Sequence, residues 1–200
     1  EIEDDHILVS IGVEGNSNGF GLKSIGVDIS ENQHIKVNEN GQTNIDNIYA
    51  VGDVTGPPWL AHVSSSEGLY VVEYIANLNP KKIDYDCIPA CIYSKPEIGS
   101  IGFDQKALDD KGINYKIAKS FFNANGRAVA SSSTDGFIKI LVSDDNLILG
   151  AHIIGSNATE MISEFSLAMN NQLTVENILG SVHPHPTFSE AIFETLMQLK

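Results

Sequence analysis

Before residue 77 the apolar positions of this chain come in short runs separated by glycine and polar stretches; after residue 82 they follow one another closely in alternating order. Residues 6–11 form an apolar run that stops at Gly12, which predicts a short strand, and the Gly/Asn-rich residues 15–21 predict a loop. Ile35-Lys36-Val37 alternates as an edge strand does, with a turn signal over 38–41. Ile48-Tyr49-Ala50-Val51 predicts a buried strand ending at Gly52-Asp53. Gly56-Pro57-Pro58 then breaks regular structure. Ser64-Ser65-Ser66-Glu67 has the spacing of a capping box, opening a helix through Val71, Val72 and Ile75.

Residues 77–82, with Pro80 and two lysines, read as a linker, and strands dominate beyond it. Alternation predicts strands over 88–93, 99–103, 115–122, 136–142 and 147–154, the last two joined by a hairpin at Asp144-Asp145-Asn146. A short helix over 104–111, closed by Gly112, interrupts them. Helices finish the chain: 157–170 places Ala158, Met161, Ile162, Phe165, Ala168 and Met169 on one face, and shorter ones follow over 174–179 and 188–199. Strands followed by helices give an α+β class, an antiparallel sheet with helices. The expected division is 1–82 and 83–200. The first part contains no Gly-x-Gly-x-x-Gly between strand and helix, so no dinucleotide pyrophosphate site is expected in it.

Composition narrows the function classes. Of 200 residues 42% are hydrophobic and 19% charged, a globular balance with enough chain to bury a core. No apolar run approaches the roughly 18 residues that cross a membrane, and no basic region followed by an apolar one marks a secretory leader. The start at Glu1, without methionine, points to a fragment or a trimmed sequence. A net charge of -14, from 12 basic and 26 acidic residues, argues against nucleic acid or anionic lipid as the main partner and leaves room for a basic protein. Cys87 and Cys91 would share one face of a strand at a separation too long for an easy disulfide. They read as small apolar side chains in a reducing compartment, with a cytoplasmic location expected.

Two stretches carry chemistry. A buried strand delivering Asp53 just after Gly52 is either an ordinary turn or a carboxylate set where backbone approaches a ligand, ready to accept from sugar or polyol hydroxyls. His183-Pro184-His185-Pro186-Thr187-Phe188-Ser189-Glu190 has three readings. His-x-His can ligate a metal, although no acidic or cysteine partner lies near in sequence. Thr187 and Glu190 have capping-box spacing. A histidine beside a glutamate can also be a base whose working nitrogen the carboxylate selects.

Tyr49-Ala50-Val51-Gly52-Asp53, then Trp59-Leu60-Ala61-His62 and Glu67-Gly68, resemble the second flavin-contacting motif of the flavoprotein disulfide reductases. The resemblance implies that Asp53 binds the ribityl chain of FAD, that Leu60, Ala61 and His62 lie against the flavin's pyrimidine end, and that Gly52 belongs to the same cofactor-binding motif. The string from His183 to Glu190 is similar to the His-x-His-Pro-Thr-x-x-Glu signature of the dihydrolipoamide dehydrogenases within that family. It implies a catalytic pair of His185 and Glu190, with no metal, and a cis peptide between His185 and Pro186. Lys95-Pro96-Glu97-Ile98 with Gly102, and Asn125-Gly126-Arg127-Ala128, resemble the opening and a turn of the family's interface domain. Gly12-Val13-Glu14-Gly15-Asn16 and Val63 depart from the family's usual Gly-Arg-x-Pro-Asn and lysine.

The resemblance thus implies a dimer-interface domain over 83–200, preceded by the tail of the NAD-binding and FAD-contacting α/β region over 1–82. It implies an enzyme that oxidises dihydrolipoamide with NAD through FAD and a redox disulfide lying before residue 1, working as a homodimer in which one subunit's histidine completes the other's site. Another disulfide reductase of the family, or a stand-alone dimerisation module, are the alternatives. Residues 1–200 alone are expected to be catalytically silent. The acidic surface would suit a basic docking domain of a 2-oxo acid dehydrogenase complex.

Overall fold

The computed structural model describes residues 3–200; Glu1 and Ile2, at the head of the 1–82 region, lie outside them. The chain divides into two compact units, the first ending at Ile83 and the second running from Asp84 to Lys200.

The first unit holds less regular structure than the pattern predicts. Residues 6–11 are not a strand: no strand pairs with them among the described residues, and Ile7, Leu8, Val9 and Ile11 are exposed. An apolar run becomes a strand only where neighbours satisfy its backbone N–H and C=O groups. The same cause reduces the two strands expected at Ile35 and Tyr49 to isolated bridges, Ile29 with Ile35 and Gln42 with Tyr49. Helix α1 (Ala61–Ile75) is present but starts before the predicted cap. Ser64, Ser65 and Ser66 lie inside it and turn their hydroxyls back to the carbonyls of Leu60, Ala61 and His62. Val27, Ile35, Val63, Tyr70 and Val71 are this unit's buried hydrophobic residues among those described, and the Tyr70 hydroxyl donates to Asn40 Oδ1 at 2.9 Å.

The second unit matches the alternating pattern. Strands β1 (Ala90–Ile92), β2 (Ile98–Gly102), β3 (Lys116–Phe121), β4 (Phe137–Val142) and β5 (Ile148–Ile154) form one antiparallel sheet in the order β1-β2-β5-β4-β3. Helix α2 (Gln105–Lys111) has the expected start and stop: the Asp104 carboxylate accepts the Ala107 N–H at 2.7 Å, and Gly112 ends it at φ 66°. A one-turn helix not visible in the pattern, α3 (Gly126–Ala130), follows β3. Then come α4 (Ala158–Asn170), α5 (Val175–Leu179) and α6 (Glu190–Leu196).

Helix α4 packs on β2 and β5, and α6 on β3 and β4. The shared core contains Ile138, Ile140, Ile153, Ile162, Phe165, Ile192 and Leu196. Gly99 sets the α4 approach, since a Cβ there would stand 2.5 Å from the Ala158 carbonyl oxygen. Ser120 and Thr195 join β3 to α6 through their hydroxyls. Cys87 corrects the strand reading of the two cysteines: it sits in a helical turn (Tyr85–Cys87) ahead of β1, buried, while Cys91 lies half-buried in β1, and the two form no disulfide. Burial raises the Cys91 thiol above its ordinary pKa.

Candidate active site

Gly52 opens a helical turn (Gly52–Thr55) after the extended Val51. Its φ is 76°, and a Cβ would meet Ser64 Oγ at 2.8 Å, so only glycine lets this turn lie so close to α1. Its N–H donates to Glu67 Oε2 at 2.7 Å. This contact brings the Gly52-Asp53 turn together with the helix that Leu60 leads into and whose first residues are Ala61 and His62. Asp53, Ala61 and His62 are exposed and Leu60 is half-buried. The Asp53 carboxylate has no protein partner among the described residues, which leaves all its acceptor positions open. The positive end of the α1 dipole lies at Ala61 and His62.

The second predicted group lies on the loop between α5 and α6. His185 Nδ1 and Glu190 Oε1 are 2.8 Å apart, and the other carboxylate oxygen, Oε2, accepts the Thr187 N–H at 2.8 Å. The carboxylate therefore makes two contacts, a capping-type one to the Thr187 N–H and one to the His185 ring, one on each oxygen. The capping box is only half formed. The Thr187 hydroxyl donates to the Pro184 carbonyl at 2.7 Å and contacts Ser189 Oγ, and Ser189 stands at the head of α6. The Thr187 N–H first, and then the His185 ring, hold the Glu190 carboxyl below its ordinary pKa. The His185 side chain is 77% exposed and Glu190 23%. The His185–Pro186 peptide is cis.

His183 is engaged elsewhere. Its Nε2 lies 3.0 Å from Glu164 Oε1 on α4, and its side chain is 9% exposed. The two rings of His-x-His are thus held by different carboxylates, and no cluster of metal-ligating side chains forms among the described residues. Pattern reading also missed Asn125. It is buried, accepts the Ala128 N–H at 3.0 Å as the cap of α3, and donates to the Thr187 carbonyl at 3.1 Å. Asn is a favoured helix N-cap residue, but the one-turn helix it caps carries no periodic signal of its own. Beside the loop a cleft of about 470 Å³ is lined by Arg127, Glu160, Glu164, Pro186 and Ser189 among others.

A family model described as the pyridine nucleotide-disulphide oxidoreductase dimerisation domain matches residues 88–196, more than half the chain. The chain belongs to the pyridine nucleotide-disulphide oxidoreductases. A second model, pyridine nucleotide-disulphide oxidoreductase, matches residues 1–68. Among its relatives, a dihydrolipoyl dehydrogenase of Bacillus subtilis is 44% identical over 96% of the chain and 41% of its own length. The mitochondrial dihydrolipoyl dehydrogenase of Sus scrofa is 42% identical over 95% of the chain and 37% of its own length. LpdA from Mycobacterium tuberculosis superposes with a TM-score of 0.89 at 25% identity, over 94% of this chain and 41% of that one. The flavoprotein disulfide reductase RclA of Escherichia coli shares the fold at 21% identity, with a TM-score of 0.87 over 94% of the chain and 43% of its own. The chain spans about two fifths of the length of the curated relatives it matches. The family uses flavin and nicotinamide cofactors, and no helix among the described residues is long and apolar enough to cross a membrane.

Proposed function

We propose that this chain is the carboxy-terminal part of a dihydrolipoyl dehydrogenase, with 83–200 as its interface domain and 1–82 as the tail of its cofactor-binding region. The observation that carries the reading is the 2.8 Å contact of His185 Nδ1 with Glu190 Oε1, in a chain similar to enzymes of that name. A carboxylate accepts only, so Nδ1 carries the proton it shares and Nε2 is left with the lone pair. An exposed imidazole so oriented takes a proton from a substrate thiol and supplies the thiolate that attacks a disulfide. Glu190 selects the working nitrogen and stabilises the imidazolium that results. The redox disulfide would come from outside these residues.

The open Asp53 carboxylate and the glycine turn pressed on α1 fit FAD. Asp53 would hold the ribityl hydroxyls and Leu60, Ala61 and His62 the pyrimidine end, with Gly52 shaping the turn that carries Asp53. Bound FAD would accept the electron pair of the dithiol and hand it on to NAD. Two subunits would pair through the interface domain, each lending His185 to the other's site. The net charge of -14 favours a basic docking domain of a 2-oxo acid dehydrogenase complex as a further partner.

Assay of the complete flavoprotein tests the reading. Reduction of NAD by dihydrolipoamide, with little turnover of glutathione disulfide and NADPH, is the expected result; the reverse preference would assign another disulfide reductase.

A further inference from the structure

The loop that carries His185 also carries His183, and each imidazole is tied to a glutamate on a different flanking helix: His185 to Glu190 on α6, His183 to Glu164 on α4. The second pair is the more enclosed of the two. The His183 side chain is 9% exposed against 77% for His185, and Glu164 is 32% exposed. Both ring nitrogens of His183 face acceptors, Nε2 the Glu164 carboxylate at 3.0 Å and Nδ1 the Ser181 carbonyl at 3.2 Å. The ring also lies against Phe193 of α6, with centroids 6.0 Å apart. His183 therefore touches α4, its own loop and α6 at once.

We propose that Glu164 and His183 form a positioning pair that fixes the stretch from His183 to Thr187 and so aims His185. The inference rests on the catalytic reading of His185 given above. Neither residue of the pair is needed for proton transfer; their work is geometric. Only Pro184 separates His183 from His185, so a ring anchored at three points limits the travel of the next one. Glu190 cannot do this alone: it fixes the rotation of the His185 ring but sits on the same side of the loop as the helix it opens. Apart from the His183–Glu164 contact, no hydrogen bond among the described residues ties the stretch from Ser181 to Pro186 to α4. A displacement near 1 Å at a reacting group can cost about 100-fold in rate, which sets the scale at stake.

The test uses the complete flavin-loaded enzyme and four variants: Glu164→Gln, Glu164→Ala, His185→Ala and the double variant Glu164→Ala/His185→Ala. Glu164→Gln keeps an acceptor for His183 and should hold most of the dithiol turnover. Glu164→Ala should lower kcat about ten-fold or more with little change in KM, while flavin absorbance and NADH oxidation by an artificial electron acceptor, which bypass the dithiol, stay at wild-type levels. In the double variant the loss should equal that of His185→Ala alone, because the pair acts through His185. Wild-type kcat in Glu164→Ala overturns the proposal, as does a loss in the double variant that exceeds that of His185→Ala, or a loss of dithiol turnover matched by equal loss of the artificial activity. Full dithiol turnover in His185→Ala would instead remove the catalytic reading itself, whatever Glu164 does.

Discussion

Glu67 reaches back from the second turn of α1 to accept the Gly52 N–H at 2.7 Å, fifteen residues earlier in the chain. The sequence pattern pairs Glu67 with Ser64 as a capping box, but Ser64 lies within the helix and its Cβ fills the space a side chain at position 52 would need. The carboxylate and the missing side chain are thus two halves of one contact, which locks the Asp53 turn onto the helix.

Gly52→Ala should be destabilising for that reason. The left-handed φ of 76° costs a residue with a Cβ about 1–2 kcal/mol, and the contact with Ser64 adds to it. Urea unfolding should show a lower midpoint for Gly52→Ala, and in the complete protein flavin should be held less tightly. An unchanged midpoint would mean that the turn shifts freely off α1.

The second unit was legible in the sequence because its strands pair with one another within the chain. Ile138, Ile140 and Val142 alternate inward on β4 and share one core with Ile162 and Phe165 of α4, so periodicity follows burial there, with Leu141 buried as well. Residues 6–11 have an equally apolar run and form no strand, since hydrogen-bonding neighbours, which periodicity does not encode, decide the outcome. At the loop before α6 the spacing from Thr187 to Glu190 left capping and catalysis as alternatives. Only coordinates separate the two carboxylate oxygens and give each a task. The same holds for His183: nothing local announces that its partner is Glu164, nineteen residues away on another helix.

Asn125→Ala should destabilise the second unit by about 1–3 kcal/mol, because it removes the α3 cap and leaves the Thr187 carbonyl without its buried donor. Asn125→Asp keeps the acceptor for Ala128 but sets a buried carboxylate against the Thr187 carbonyl oxygen, so at neutral pH it should be no more stable than alanine and should recover as acid protonates it. Urea unfolding of the three proteins checks the order.

Glu190 gives the stability a pH dependence of known sign. Its folded pKa lies below its unfolded one, so its contribution is present above the unfolded carboxylate range and is lost as pH falls through the lower folded value. The difference in unfolding midpoint between wild type and Glu190→Ala, which removes both contacts, should therefore favour wild type at neutral pH and shrink in acid. Part exposure of the carboxylate keeps the difference small, and the direction is what the measurement reads.

The dyad makes the sharpest prediction. Loss of the base in His185→Ala should lower dithiol oxidation by the complete enzyme about 100-fold or more, the scale of general-base catalysis, with flavin binding intact. Glu190→Gln tests the orienting role through hydrogen-bond inventory. The carboxylate accepts twice, from the Thr187 N–H and from His185 Nδ1, whereas an amide has one accepting atom and one donating atom. If the amide oxygen keeps the Thr187 N–H, its NH2 group faces Nδ1; that nitrogen must then accept, the proton moves to Nε2, and the imidazole can no longer take one from the thiol. If the amide turns over, the Nδ1–H is served but the NH2 group opposes the Thr187 N–H, and the turn at the head of α6 is weakened. No orientation satisfies both, so Glu190→Gln should lose turnover through the wrong tautomer or stability through the lost cap. Kinetics and urea unfolding on the same preparation show which. A Glu190→Gln enzyme with wild-type turnover and wild-type stability would mean that Glu190 neither orients His185 nor holds Thr187.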